Sequence, residues 1–568
     1  MGKRIVVVGG VAAGPKAAAR ARRRDPEAEI TIVEKGDLLS YAGCGLPFYV
    51  AGLVHEAEEL MCTASGTVRD AGFFKAVKDV QVLTRTLAEK IDRQRKELSV
   101  IKLETGERSV LPYDKLVLAT GGNPVMPRMK GIDLRRVYRV GHPADAVAIR
   151  EAVESGEVDR VAIIGGGLIG LEMADALSNQ GIDVTIVELK DQLLTWLLDP
   201  DIAALLAKHL RSKGVDLRLG AGVKEFEGDA EGNFKAALTD QGPVEADMAI
   251  VAIGVRPNVS LAAEAGLKLG TTGAIAVNES LQTSDPDIYA GGDCVESINL
   301  ITGKPAYVPM GSTANKHGRI IGDNLTGGQE RFPGIVGTTV LKSFGFNVGR
   351  TGLCEQAARD AGFDVITSVA PSPDCAHYYP ANKMVVVKMI ADAKTRRLLG
   401  AQALGMGDAV KRVDVAATAI TFGATLDQFA NLDLGYAPPY STAIDVAAHA
   451  ANVARNKLEG IARSVSPLDL KRKIDAGEDF VLLDVRSPKE FETEHLPGSQ
   501  VRLVPLGKLR ERSGELPKGK EIITYCKVSL RGYEAARILD AAGFKDVKFL
   551  DGGVVAWPYE TVTGNGKE

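Results

Sequence analysis

Twice in this chain an apolar strand runs straight into a glycine-rich turn and a helix, and a second strand then ends on a glutamate. The first instance is Arg4–Val8, Gly9-Gly10-Val11-Ala12-Ala13-Gly14, an Ala/Arg-rich helix, and Ile30–Val33 closing on Glu34. The second is Arg160–Ile164, Gly165-Gly166-Gly167-Leu168-Ile169-Gly170, a helix over Leu171–Gln180, and Val184–Val187 closing on Glu188. Each is a βαβ unit whose tight turn sits at a helix N-terminus, where backbone N–H groups and the helix dipole hold a pyrophosphate. The closing acid accepts from a ribose hydroxyl. Val11 replaces the middle glycine of the first turn; the second turn is complete. The pair implies an α/β chain that takes two dinucleotides, most economically FAD and a nicotinamide. Glu188 favours a free 2′-hydroxyl over a 2′-phosphate, so NADH is expected, and Lys190 nearby leaves NADPH open.

At 568 residues the chain exceeds one core and suggests three or four domains. A net charge of -4 argues against a nucleic-acid partner, which needs a basic excess. The apolar run Ile5–Val8 is too short for a signal segment or a membrane span. The six cysteines are scattered without a CxxC pair, which suits a reducing cytoplasm and argues against a disulfide scaffold or a metal site.

Two further strands end in glycines: Leu116–Leu118 before Ala119-Thr120-Gly121-Gly122, and Asp287–Ala290 before Gly291-Gly292-Asp293. Glycine there lets a backbone approach a ligand closely. With Gly254-Val255-Arg256-Pro257 between them, the order of motifs resembles the two-dinucleotide-domain flavoprotein disulfide reductases, over roughly Met1 to Gly328. The resemblance implies two Rossmann-like domains, the NAD domain inserted in the FAD domain. Gly9, Ala12, Ala13, Gly14, Glu34, Lys35, Ala119, Thr120, Gly121 and Asp293 would then hold FAD. Gly165, Gly167, Ile169, Gly170 and Glu188 would hold NAD(H).

Ser40-Tyr41-Ala42-Gly43-Cys44-Gly45-Leu46-Pro47 follows the first unit. Disulfide reductases of the glutathione-reductase kind pair such a cysteine with another five residues before it, where this chain has Leu39. The stretch resembles the single-cysteine branch: NADH oxidases and peroxidases, coenzyme A-disulfide reductases and persulfide reductases. A lone thiol must cycle through a sulfenic acid or a mixed disulfide with a small thiol. From Ile335 the texture changes to strands (Thr338–Lys342, Met384–Ile390) and two helices (Glu355–Ala361, Val410–Phe422), which resembles the dimerisation domain of the same flavoproteins. That resemblance implies a homodimer in which one subunit completes the other's site. It assigns Tyr378 and Tyr436, in two Pro-containing loops, to the sulfur of coenzyme A, and Ser40, Arg20 and Arg23 to coenzyme A binding. Many relatives carry asparagine before the redox cysteine, where Gly43 stands.

Arg455–Ser466 reads as a linker, and Pro467 opens another α/β segment. Its strands are Phe480–Asp484, Glu521–Tyr525 and Val547–Leu550, and its helices Leu468–Ala476 and Gly532–Ala541. Asp484-Val485-Arg486, His495-Leu496-Pro497-Gly498 and Gly552-Gly553-Val554-Val555-Ala556-Trp557 make it resemble a rhodanese domain. Cys526-Lys527-Val528-Ser529-Leu530-Arg531 places a thiol between strand and helix, flanked by two cations, a nest suited to a persulfide. Related loops carry glycine near Ser529.

The expected architecture is therefore α/β: a discontinuous FAD domain (1–112, 113–150 and 270–328), an NAD(H) domain (151–269), an α+β dimerisation domain (329–454), a linker (455–466) and an α/β rhodanese domain (467–562). The whole resembles coenzyme A-disulfide reductase–rhodanese fusions, NADH-dependent reductases of persulfide or polysulfide. Cys44 would form a mixed disulfide with coenzyme A, Tyr378 and Tyr436 would protonate the departing sulfur, and Cys526, assisted by Arg531, would relay sulfane sulfur. Two other readings remain open: an NADH oxidase or peroxidase, and a flavin reductase whose rhodanese segment only docks a partner.

Overall fold

The computed structural model describes residues 2–563 and shows two compact units. One joins the chain up to Leu189 with Ala221–Ile335; the other joins Lys190–Gly220 with the chain from Val336 onward.

In the first unit, five parallel strands lie in the order Ile288–Ala290, Lys115–Leu118, Arg4–Val8, Glu29–Val33, Gln81–Leu83. The central three are largely apolar because both faces are covered: helices Ala13–Arg24 and Gly311–Asn324 pack on one, and an antiparallel meander over 86–112 packs on the other. Val8 is level with both Val33 and Leu118. The segments that leave the strands consequently emerge together. Gly9 N–H donates to Val33 O, Ala119 N–H to Val8 O and Gly291 N–H to Leu118 O. The register alone thus gathers the first glycine turn, Glu34, Ala119–Gly121 and Gly291–Asp293 at one end of the sheet. The second glycine turn repeats the plan. Asp183–Glu188, Arg160–Ile164, Met248–Val251 and Val137–Arg139 are parallel neighbours, and Gly165 N–H donates to Val187 O. Two antiparallel meanders went unforeseen: Thr86–Asp92 with Glu97–Lys102 and Arg108–Pro112, and Val223–Gly228 with Phe234–Thr239 and Gly242–Glu245.

The second unit holds two sheets. The antiparallel one runs Thr339–Ser343, Phe346–Gly352, Leu398–Gly405, Met384–Asp392, Val365–Pro373. Helices Ala409–Thr421 and Val446–Leu458 pack on it. The parallel one runs Ser464–Val465, Val547–Leu550, Glu521–Tyr525, Phe480–Asp484, Val501–Leu503. The expected linker is largely structured: Arg455–Leu458 finish a helix, and Ser464–Val465 are the edge strand of the second sheet. Its polar composition had masked a helix whose buried stripe is alanine.

Lys190–Gly220 belongs to this unit through one buried ammonium. Lys388 Nζ donates to Asp201 (2.9 and 3.1 Å) and Glu355 (3.0 Å) and lies 3.1 Å from Asp199. Gln402 Nε2 donates to that same Asp199 oxygen at 2.8 Å, and Glu355 N–H to the other at 2.9 Å. A buried charge persists only when its partners are this complete. Here they fix helix Pro200–Ser212 against the antiparallel sheet. Lys457 bonds Asp551 and Thr367 O, and Lys208 Nζ donates to Trp557 O, so the parallel sheet is tied down as well.

Candidate active sites

Glu34 and Glu188 hold equivalent places. Glu34 accepts from Gly10 N–H at 2.7 Å and from Gly36 N–H at 2.8 Å; Glu188 accepts from Gly166 N–H at 2.7 Å. Each acid thereby braces the glycine turn beside it. Gly9 and Gly165 have φ of +111° and +113°, and a Cβ on either would meet the neighbouring carbonyl oxygen at 2.1 or 2.5 Å. These turns need glycine for close packing. By contrast a Cβ on Gly121, Gly167 or Gly254 would meet nothing within 4 Å, so their outer faces are open.

Cys44 sits in a 3-10 turn, Gly43–Gly45, directly before the short helix Leu46–Val50, and is exposed. The chain is led there by Ser40, which takes φ +49° and donates its N–H to Gly10 O at 2.9 Å. The bond ties the cysteine loop to the first glycine turn. Gly45 is wedged against Leu60, whereas a Cβ on Gly43 would touch only Tyr41 Cε2, at 4.0 Å. Space is therefore available where related loops carry asparagine. Tyr41 itself packs edge-on against His142 at 5.4 Å. Burial, with Glu34 and Asp145 nearby, pushes its phenol up to about 12.

The arginine run divides its labour. Arg20 bonds Asp323 through Nε (2.9 Å) and a terminal nitrogen (2.7 Å), and Arg24 meets the same carboxylate at 3.4 Å. Arg22 pairs with Asp79. Arg23 is exposed and has no carboxylate partner among the described residues. The charge of Arg20 is thus already engaged within the protein.

Tyr378 and Tyr436 are 66% and 55% exposed, and Tyr440 beside them 70%. The structure brings their loops together: Ala376 N–H donates to Pro438 O. Arg412, fully buried, supports both. It donates to Asp374 O at 2.6 Å ahead of one loop and pairs with Asp445 at 2.7 Å beyond the other. Ser441 Oγ adds a bond to Asp445.

Cys526 ends strand Glu521–Tyr525 with none of its surface exposed. Ser529 takes φ +82° and donates its hydroxyl to Leu550 O at 3.2 Å. The glycine pair closes the loop from beneath. Gly553, at φ +56°, has room for no side chain against Cys526 O, and Val554 and Val555 N–H donate to Cys526 O and Lys527 O. Arg531 forks onto Glu490 at 2.7 and 2.9 Å. That contact, with Ser487, holds the Glu490 carboxyl down at about 2. Arg486 clasps Asp484 within the strand-end turn and donates to Glu494 O.

Comparison with known proteins accounts for these features in order. Residues 3–310 match the pyridine nucleotide-disulphide oxidoreductase family, 340–448 its dimerisation domain, and 466–559 a rhodanese-like domain. The chain belongs to the pyridine nucleotide-disulphide oxidoreductase family. It is 36% identical over 445 residues to the NAD(P)H coenzyme A polysulfide/persulfide reductase of Pyrococcus horikoshii, covering 78% of this chain and 97% of that one. Among solved structures, a NAD-dependent persulfide reductase from A. fulgidus superposes with a TM-score of 0.93 at 45% identity, over 98% of this chain and 100% of that one. Reduced Bacillus anthracis CoADR-RHD follows at 0.90 and 34%, over 98% of each chain.

As a pyridine nucleotide-disulphide oxidoreductase the chain takes FAD and NAD(P)H. The residues present suit them. Asp293 is desolvated, which pushes its carboxyl up, and its carboxylate has no partner among the described residues; a ligand hydroxyl would supply one. The open faces of Gly121, Gly167 and Gly254 leave the approach clear. Two residues of interest escaped sequence reasoning. Glu172 follows the second turn on helix Leu168–Ser178, and burial alone pushes its carboxyl up to about 7. An acid between the apolar Leu171 and Met173 was the available signal. Arg412 gave none, because its partners lie on distant segments.

Proposed function

We propose that the chain is a FAD-dependent NAD(P)H:coenzyme A persulfide/polysulfide oxidoreductase, also acting on coenzyme A disulfide, with a rhodanese centre that relays sulfane sulfur. One observation carries the reading: an exposed lone thiol, Cys44, is tied through Ser40 to the first glycine turn. With Leu39 where a second cysteine would stand, the thiol's disulfide partner must come from outside the loop. The relatives named as coenzyme A persulfide and coenzyme A disulfide reductases support coenzyme A as that partner.

In this reading the Cys44 thiolate attacks coenzyme A persulfide at the sulfur bonded to coenzyme A. A Cys44–S–S–CoA bond forms, the S–S bond of the persulfide breaks, and hydrosulfide leaves. Bound FAD and NAD(P)H supply the electron pair that, with a proton, returns Cys44 thiolate and coenzyme A thiol. Tyr378 and Tyr436 of the second subunit of a homodimer orient and protonate the departing sulfur. Cys526, with Arg531, collects sulfane sulfur and passes it to coenzyme A. Gly9, Ala12, Ala13, Gly14, Glu34, Lys35, Ala119, Thr120, Gly121 and Asp293 contact FAD; Gly165, Gly167, Ile169, Gly170 and Glu188 contact the nicotinamide dinucleotide, with NADH preferred. Ser40 and Arg23 serve coenzyme A directly, and Arg20 does so only on loosening from Asp323. The FAD domain spans 1–150 and 270–328, the NAD(H) domain 151–269, the dimerisation domain 329–458, a short linker 459–463 and the rhodanese domain 464–562. The scattered free thiols suit a cytoplasmic setting, and no helix among the described residues is long and apolar enough to cross a membrane.

The test is NADH oxidation with coenzyme A persulfide, polysulfide, coenzyme A disulfide and hydrogen peroxide side by side. Coenzyme A persulfide should be turned over fastest, and Cys44→Ser should lower that rate by about 10³-fold or more. An undiminished rate in Cys44→Ser removes the proposal. Preference for peroxide or oxygen installs the oxidase reading instead.

A further inference from the structure

Beside the Cys526 loop lies a cleft of about 360 Å3, lined by Arg486, Ser487, Lys489, Glu490, Lys527 and Val554 among others. Arg486 in its wall is already neutralised by Asp484, and Glu490 of the lining is taken up by Arg531. The cations left over are Lys489 and Lys527, both exposed and neither with a carboxylate partner among the described residues. The other acid of the lining, Glu494, accepts the Thr561 hydroxyl at 2.9 Å. Half-buried Val554 and Val555 give the cleft an apolar wall. Unpaired positive charge therefore sits at the rim and apolar surface lies along one side; Cys526, next to Lys527 in the chain and bonded through its carbonyl to Val554 N–H, has no exposed surface.

We infer that this cleft is a binding site for a phosphorylated thiol, whose phosphate rests on Lys489 and Lys527 while its aliphatic arm runs along Val554 and Val555 to Cys526. The charge layout selects such a ligand. A compact dianion such as thiosulfate would have to bring its charge inward, to Glu490 and to an Arg486 already paired. A carrier with its anion remote from its sulfur leaves that charge outside, on the unpaired lysines, and sends in only a slender neutral arm. Two ammonium groups read phosphate as point charges. The inference rests on the reading that Cys526 carries sulfane sulfur. The step is a transfer without net oxidation: the acceptor thiolate attacks the outer sulfur of the Cys526 persulfide, a new S–S bond forms on the acceptor, and the Cys526 thiolate leaves.

The test uses the full-length protein carrying Cys44→Ser, so that reductive turnover does not consume the product. Cys526 is loaded with polysulfide, the excess is removed, and loss of the persulfide is followed by mass spectrometry. Coenzyme A and pantetheine, which share the thiol arm but differ by the phosphorylated adenosine, are the acceptors, with 4′-phosphopantetheine, which adds phosphate alone, expected to fall on the coenzyme A side of the gap. Coenzyme A should discharge the persulfide about tenfold faster than pantetheine, the worth of two modest ion contacts. Rising salt should narrow the gap. Lys489→Gln with Lys527→Gln should bring coenzyme A to the pantetheine rate, and Lys489→Arg with Lys527→Arg should restore the gap. Equal rates for the two thiols, or a gap that survives the double glutamine variant, overturn the site. Discharge by neither thiol overturns the relay reading and the site with it.

Discussion

Two residues sit where their own chemistry is unfavourable. Ser529 holds a φ of +82°, a region that a side chain makes costly by about 1 kcal/mol or more. Its hydroxyl bond to Leu550 O offsets part of that and keeps the loop closed over Cys526. Ser529→Gly removes strain and latch together. Cys526 should then be alkylated by iodoacetamide several-fold faster, with little change in melting temperature; an unchanged alkylation rate would show that Ser529 does not hold the loop. Glu172 is the second case. Its folded-state carboxyl titrates near 7, above the usual 4.5, because burial penalises the charged form. The protonated acid is the form the fold prefers, so its contribution is complete below about 4.5 and is lost as pH rises through 7. Glu172→Gln, which cannot ionise, should raise the holoenzyme's melting temperature at pH 8 and leave it nearly unchanged at pH 5. A gain of equal size at both pH values would show that charge is not the cause.

At the scale of elements, helix Ala409–Thr421 matters less for its own packing than for Arg412 upon it. One guanidinium bonds Asp374 O and Asp445, which flank the two tyrosine loops from opposite ends of the sequence. Both bonds come from one terminal nitrogen, held in place by Nη1 on Asp408 O and Nε on Asp445; lysine keeps one nitrogen and loses the fork that orients it. Arg412→Lys should destabilise the protein by about 3 kcal/mol, the usual cost of breaking a buried pair. Coenzyme A persulfide reduction should fall, while sulfur transfer by Cys526 persists; thermal melting and the two assays run in parallel separate these effects, and undisturbed reduction would mean the loops need no such tie. Arg412 also marks where sequence reasoning stopped. Strands Arg4–Val8, Arg160–Ile164, Phe480–Asp484, Glu521–Tyr525 and Val547–Leu550 were legible to the residue. Most are nearly continuous apolar runs with abrupt polar or glycine ends, and Val547–Leu550 keeps the pattern around a single lysine; that pattern is local. The meander Thr86–Asp92 to Pro112 was not, since short, half-exposed strands mix both faces. Nor was the division of labour among Arg20, Arg22, Arg23 and Arg24, which depends on Asp79 and Asp323 arriving from far along the chain.

Across the whole molecule, the proposed chemistry pairs a lone thiol with tyrosines that the chain leaves on its surface. The loops of Tyr378, Tyr436 and Tyr440 are joined through their backbones and braced by Arg412, yet each tyrosine presents more than half of its surface to solvent. Rigid, exposed aromatic groups of this kind suit contact with another chain. If they serve Cys44 of a second subunit, subunits with complementary defects can repair each other. Cys44→Ser supplies sound tyrosines without a thiol; Tyr378→Phe with Tyr436→Phe supplies the thiol without phenols. Either homodimer alone should reduce coenzyme A persulfide poorly. After unfolding together and random reassociation, half of the dimers are hybrids with one complete site in two, so about a quarter of wild-type activity should return. Tyrosines that acted on their own subunit's cysteine would give no complete site in any combination, and the mixture would stay as inactive as its parents.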